Sequence, residues 1–152
     1  MFEIKLGYDH LEDCITLIQE YNKELGVDLS FQNYEEEIKD LNHKYGSPKG
    51  RIYLCYVDSQ LAGIICVHPI MENDCEMKRF YVRKEYRHLG IGRTLIEKLL
   101  EESKKIGYHY MYLDTLSTLT SANHLYQRYG FQEIPAYYYN PLKDVVYYRK
   151  EL

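Results

Sequence analysis

EYRHLGIGRTLIEKLLEESKKIG, residues Glu85 to Gly107, changes character halfway along. It opens as a basic loop with two glycines, Arg87-His88-Leu89-Gly90-Ile91-Gly92-Arg93, and continues as an amphipathic helix. Leu95, Ile96, Leu99, Leu100 and Ile106 recur at helical spacing, while Glu97, Lys98, Glu101, Glu102, Lys104 and Lys105 fill the opposite face. Lys104 and Lys105 fall in the last turn, where the helix dipole favours cations, and Gly107 suits a left-handed C-terminal cap. The N-terminus is the informative end. Its first backbone N–H groups lack intrahelical acceptors and face a positive dipole, which favours anions. Gly90 and Gly92 carry no Cβ to keep an anion away, and Arg87 and Arg93 add charged donors. Upstream, CEMKRFYV (Cys75 to Val82) reads as a strand. Strand, basic glycine loop and helix together form a phosphate cradle.

The spacing narrows the choice of phosphate. A nucleoside-triphosphate loop needs Lys after its last glycine, and position 93 is Arg. A dinucleotide loop needs a third glycine at position 95, which is Leu95. Arg87-x-x-Gly90-x-Gly92 instead resembles the acetyl-coenzyme A pyrophosphate loop of the GNAT N-acetyltransferase superfamily, [Q/R]-x-x-G-x-[G/A] between a strand and a helix.

The 152 residues suffice for one domain with its own core, so residues 1–152 are expected to be a single N-acetyltransferase domain. A net charge of −4 gives no support for nucleic-acid binding. Cys14, Cys55, Cys66 and Cys75 lie within apolar patterns without a C-x-x-C pair, which reads as reduced core thiols. No metal-ligand spacing, charged-then-apolar leader or membrane-length apolar run occurs, so the expectation is a cytoplasmic protein without metal or membrane partner.

Along the chain, Phe2 to Leu6 alternates as a first strand. Asp9 with Glu12 reads as a capping box for a helix carrying Leu11, Cys14, Ile15, Ile18, Tyr21 and Leu25. A weaker helix is expected from about Tyr34 to Lys44. Its Glu35-Glu36-Glu37 cluster reads either as a solvated face or as an acidic rim for a cationic substrate. Arg51 to Val57 and Leu61 to Val67 are continuous apolar runs joined by Asp58-Ser59-Gln60, a hairpin with helices on both faces. Tyr108 to Asp114 is a further strand, with Tyr110, Tyr112 and Asp114 opposite Met111 and Leu113. A short helix from about Ser121 to Tyr129 ends at Gly130. Two β segments then flank a loop containing Pro135 and Pro141.

The order β-α-α-β-β-β-α-β-α-β-β, a mixed central α/β sheet flanked by helices, is similar to the GNAT acyl-CoA N-acyltransferase fold over nearly the whole chain. Leu125-Tyr126-x-x-x-Gly130-Phe131 resembles a second segment of that superfamily. Many members carry Asn seven residues before this Tyr; here the position is Leu119, and Asn123 is the nearby residue left to contact the cofactor.

The resemblance implies acetyl transfer from acetyl-CoA, as cosubstrate, to a small-molecule or peptide amine by direct attack in a ternary complex. Phe80, Tyr81 and Val82 would pair through their backbone with the pantetheine arm. Arg87, His88, Leu89, Gly90, Ile91, Gly92 and Arg93 would take the pyrophosphate. Glu76 stands where several members place a general base, and strand alternation puts it on one face with Lys78 and Phe80; an ion pair with Lys78 is its other reading. Tyr126 is the expected general acid for the departing thiolate. His68 follows an apolar strand and could face the acceptor. Tyr137, Tyr138 and Tyr139 either line the acceptor pocket or form a homodimer contact. The rival function is a non-catalytic coenzyme A-binding sensor on the same fold, which needs the loop but not the acid.

Overall fold

The computed structural model describes residues 1–152. Its frame is a seven-stranded sheet in the order β1-β2-β3-β4-β5-β7-β6. The strands are β1 (Phe2–Leu6), β2 (Arg51–Val57), β3 (Gln60–Met71), β4 (Asp74–Val82), β5 (Tyr110–Leu116), β6 (Gln132–Ile134) and β7 (Val145–Glu151). The helices are α1 (Leu11–Leu25), α2 (Tyr34–Lys39), α3 (Leu41–Tyr45), α4 (Ile91–Ile106) and α5 (Thr120–Arg128). Every neighbouring pair is antiparallel except β4 and β5, which are parallel.

Both sheet faces are covered, as the unbroken apolar runs of β2 and β3 require. Ile52, Leu54, Ile64 and Cys66 pack with Cys14, Leu17 and Ile18 of α1. The alternate residues Tyr53, Cys55, Ile65 and Val67 pack with Leu95, Ile96 and Leu99 of α4. Each fully buried aliphatic side chain contributes about 1.5–3 kcal/mol relative to exposure. Asp58 and Ser59 both take positive φ, 48° and 68°, closing β2 and β3 with a two-residue turn whose twist matches the strands.

Two local expectations are corrected. Asp9 does not cap α1: the backbone makes a 3-10 turn over Gly7–Asp9, and His10 is the N-cap, without a side-chain hydrogen bond. Gly7 lies close beneath Cys14 and Ile52, and a Cβ there would sit 2.6 Å from each. The helix expected over 34–44 is two helices. Asp40 breaks it with φ −150° and ψ 80°, and its carboxylate accepts from the His43 backbone N–H to cap α3.

Glu37 is neither a solvated residue nor a substrate rim. It is 4% exposed and accepts from Arg79 Nε and Nη2 at 2.7 and 2.9 Å and from Lys44 Nζ at 3.0 Å. Burial raises its pKa, but the Arg79 bonds and the two cations more than offset this and bring it down to about 2.

Candidate active site

The helix start is built as the loop chemistry requires. Gly90 is the N-cap of α4 at φ 90°, a conformation an L side chain rarely adopts. The first intrahelical bond is Thr94 N–H to Gly90 O at 3.1 Å, so the N–H groups of Ile91, Gly92 and Arg93 have no backbone acceptor. A Cβ on Gly92 would lie 3.2 Å from Phe80 Cζ and 3.4 Å from Leu125 Cδ2, so the glycine lets β4, α4 and α5 close around one point. Beside it runs a cleft of about 580 Å³, lined by Phe80, Tyr81, Val82, Arg87, His88, Gly90 to Arg93, Leu119 to Ala122, and Arg128. Arg87 spends its donors structurally, giving Nε to Val82 O (2.8 Å) and Nη2 to Glu24 (2.7 Å). Arg93 and Arg128 are the other guanidinium groups on the cleft wall. Leu89 is exposed and lies outside the lining.

The cleft leads into a fork in the sheet. β4 and β5 pair only over Asp74–Glu76 and Tyr110–Tyr112, then separate. Beyond the fork, β4 has no strand partner on that side, so its backbone donors and acceptors face the opening. A bulge sits at the fork: Cys66 pairs with Lys78 and Ile64 with Tyr81, so Arg79 and Phe80 together oppose Ile65. Arg79 takes φ 58° there, and its guanidinium is locked by Glu37 and by Gln32 Oε1 at 3.0 Å. The bulge resets the alternation. Phe80 therefore turns to the α4 side, against Tyr126 (6.1 Å between ring centroids), and not to the face of Glu76 and Lys78 as simple alternation predicts.

A second, smaller cavity of about 50 Å³ occupies the fork itself. Its walls include Gln32, Lys78, Asp114, Tyr126 and Asn140, and it shares Tyr21, Phe80 and Leu119 with the large cleft. Tyr126 is 6% exposed, its ring packed among Phe80, Phe131 and Tyr148. Its hydroxyl makes no hydrogen bond within the protein yet is not sealed from the cavity. Burial, followed by the nearby Tyr21, Asp114 and Tyr148, holds this phenol well above its ordinary pKa, so it remains a proton donor. Asp114 Oδ2 accepts from the Tyr138 hydroxyl and from Asn140 Nδ2 (2.7 Å).

Glu76 sits just behind this cavity and is not among its walls. His68 Nε2 lies 2.8 Å from Oε1, and the Tyr137 hydroxyl donates to Oε2. Burial raises the Glu76 pKa, but the His68 bond, the Lys78 charge and the Tyr137 bond override it and bring it down to about 2. A carboxylate this weakly basic and this fully bonded is a poor direct proton acceptor. Asn123 Nδ2 donates to Leu116 O at 2.9 Å, tying the end of β5 to α5, while its buried Oδ1 has no partner. Asp114 was missed by sequence reasoning as a site residue, whereas Tyr137 and Tyr138, expected at an acceptor pocket or a dimer contact, hydrogen-bond Glu76 and Asp114 here. The available signal was a lone acid in the otherwise apolar YMYLDTL strand, since burying a charge requires partners.

No group of three or more His, Cys, Asp or Glu is placed to hold a metal ion, and no helix is long and apolar enough to cross a membrane.

Residues 14–131 match the model of the acetyltransferase (GNAT) family. The chain is 43% identical to an uncharacterized N-acetyltransferase of Schizosaccharomyces pombe, over 98% of this chain and 92% of that one. It is 31% identical to an uncharacterized N-acetyltransferase of Dictyostelium discoideum, over 95% of each. Among solved structures, PaiA N-acetyltransferase of Thermoplasma acidophilum, in complex with coenzyme A, superposes with a TM-score of 0.76. It is 20% identical, covering 100% of this chain and 99% of its own.

Proposed function

This chain belongs to the acetyltransferase (GNAT) family and is an acetyl-coenzyme A-dependent N-acetyltransferase, and from that premise we propose that it acetylates a small amine by direct attack in a ternary complex. The observation that carries the reading is the unpartnered Tyr126 hydroxyl at the fork between β4 and β5, where the cleft meets the small cavity. A binder without turnover has no use for a phenol held protonated there.

In this proposal the pyrophosphate lies against the N–H groups of Ile91, Gly92 and Arg93. The pantetheine arm runs along Phe80, Tyr81 and Val82, on the side where β4 has no strand partner, although the Val82 carbonyl is already taken by Arg87 Nε. The thioester then reaches the fork. The acceptor nitrogen attacks the carbonyl carbon, a C–N bond forms, and the C–S bond breaks. Tyr126 gives its proton to the departing sulfur and recovers one from the ammonium through water. Glu76 acts at one remove, as a positioning residue: its charge holds His68, whose other ring nitrogen meets Pro69 O, and favours transfer of the acceptor's proton to water. We place the protein in the cytoplasm, where a reducing medium suits its four buried free thiols.

The test is incubation with acetyl-coenzyme A and a panel of amines, followed by mass measurement of products. N-acetylated product with stoichiometric thiol release supports the proposal. Binding of acetyl-coenzyme A without transfer to any amine would favour the sensor instead.

A further inference from the structure

We propose that Lys78 anchors a carboxylate of the acceptor, so that the amine acetylated here belongs to a small amino acid-like molecule with its two charged groups a few atoms apart. The inference rests on the acetyl-transfer reading and assigns its substrate class.

Lys78 is the odd member of a closed network. Its side chain is 7% exposed, it lines the small cavity, and its Nζ makes no hydrogen bond to the protein. Its nearest carboxylate oxygen, Asp114 Oδ1, is 4.0 Å away. A buried ammonium has three donors to satisfy, and leaving them unmade is costly. The surrounding groups do not meet that need. Both Glu76 oxygens are taken by His68 and Tyr137, and Asp114 Oδ2 by Tyr138 and Asn140. Arg79 is paired with Glu37 and Gln32. What remains at the cavity without a hydrogen bond is a loose ion pair, Lys78 Nζ and Asp114 Oδ1 at 4.0 Å, too long to satisfy the donors of the one or the lone pairs of the other.

That pair is complementary to a molecule carrying its own anion and its own amine. The carboxylate meets Lys78, and the amine meets Asp114 Oδ1 on the same wall as the Tyr126 hydroxyl. A polyamine brings a second cation against Lys78 and is repelled. The small cavity, about 50 Å³, suits only the charged end of such a molecule, its amine, linking carbon and carboxylate, with any side chain left to the adjoining cleft. Burial lowers the Lys78 pKa, and an incoming anion favours its charged form.

The experiment presents the twenty common amino acids, each paired with its primary amide, to the protein at saturating acetyl-coenzyme A, with kcat/KM read from N-acetyl product. The amide keeps the amine and removes the anion. The expected result is at least one acid preferred over its amide by about ten- to a hundredfold, the range of hydrogen bonds to charged groups. That ratio falls to near one in Lys78→Met and partly returns in Lys78→Arg. Acids and amides used equally by the wild type overturn the inference while leaving acetyl transfer intact. A preference that survives Lys78→Met overturns it as well. So does acetylation found on Lys78 itself, because an acetylated lysine has no charge to offer. If Lys78→Met fails to fold by circular dichroism, the wild-type ratio alone decides. If no panel member is acetylated, the inference is overturned, and calorimetry of acetyl-coenzyme A then judges the transferase reading separately.

Discussion

Replacing Tyr126 by Phe deletes one oxygen and leaves the ring in place, so structure and chemistry separate cleanly. The ring's neighbours Phe80, Phe131 and Tyr148 lie at centroid distances of 6.1, 5.9 and 6.0 Å, and the substitution removes none of them. The hydroxyl has no protein hydrogen bond, so the usual loss of about 1 kcal/mol for a broken bond does not arise. The melting temperature is expected to stay within about 3 °C. The chemical step is different. General-acid assistance is worth about 10²–10⁴-fold, and a thiolate with a pKa near ~8.5 is already a fair leaving group, which places the loss near 10². That corresponds to about 2.7 kcal/mol of barrier. The assay is single-turnover acetyl transfer by quenched flow at pH 7 and pH 9, with acetyl-coenzyme A saturating for both proteins. Because burial holds the phenol well above its ordinary pKa, the wild type keeps its donor at both pH values. Equal single-turnover rates for mutant and wild type at both would refute the acid role and leave Tyr126 a packing residue.

Gly92→Val should weaken acetyl-coenzyme A binding by calorimetry at least tenfold, since its Cβ already crowds Phe80 and Leu125 and its methyls enter the anion site. The exposed Glu101→Ala should not. Glu76→Gln, which loosens His68 without removing the proton acceptor itself, should lower kcat at neutral pH by less than the ~10² of a direct general base and spare cofactor affinity; a loss of ~10² or more with a displaced pH–rate profile would make Glu76 the base itself. Stability should fall in acid. Glu37 and Glu76 are both depressed from 4.5 to about 2, so the folded state prefers them ionised. Their contribution is complete above pH 4.5 and is lost as pH falls toward 2, about 3 kcal/mol for each by linkage. Urea midpoints between pH 6 and pH 2.5 check this, and a flat dependence would contradict it.

The glycine-capped start of α4 and the element order were legible because they rest on local rules. Glycine spacing, helix periodicity and apolar runs each act within a few residues, and the structure follows them at Gly90, at Gly107 and through β2 and β3. The surroundings that were not legible depend on distant partners. Glu37 looked like part of an exposed acidic run, yet Arg79 lies 42 positions later and draws it into the core. Glu76 was read from its strand position alone, without His68 and Tyr137 to occupy its oxygens. Phe80 was misplaced for a smaller reason, because one bulged residue inverts alternation and nothing in CEMKRFYV marks the bulge.

The central claim is that acetyl-coenzyme A enters the fork between β4 and β5 with its phosphates on the start of α4. A crystal structure of the protein with coenzyme A tests it most directly. The account predicts pyrophosphate oxygens about 3 Å from the N–H groups of Ile91 to Arg93, pantetheine paired with the β4 edge at Phe80 to Val82, and sulfur beside the Tyr126 hydroxyl. Coenzyme A bound away from Gly90 and Gly92, or with its sulfur outside the fork, would contradict it.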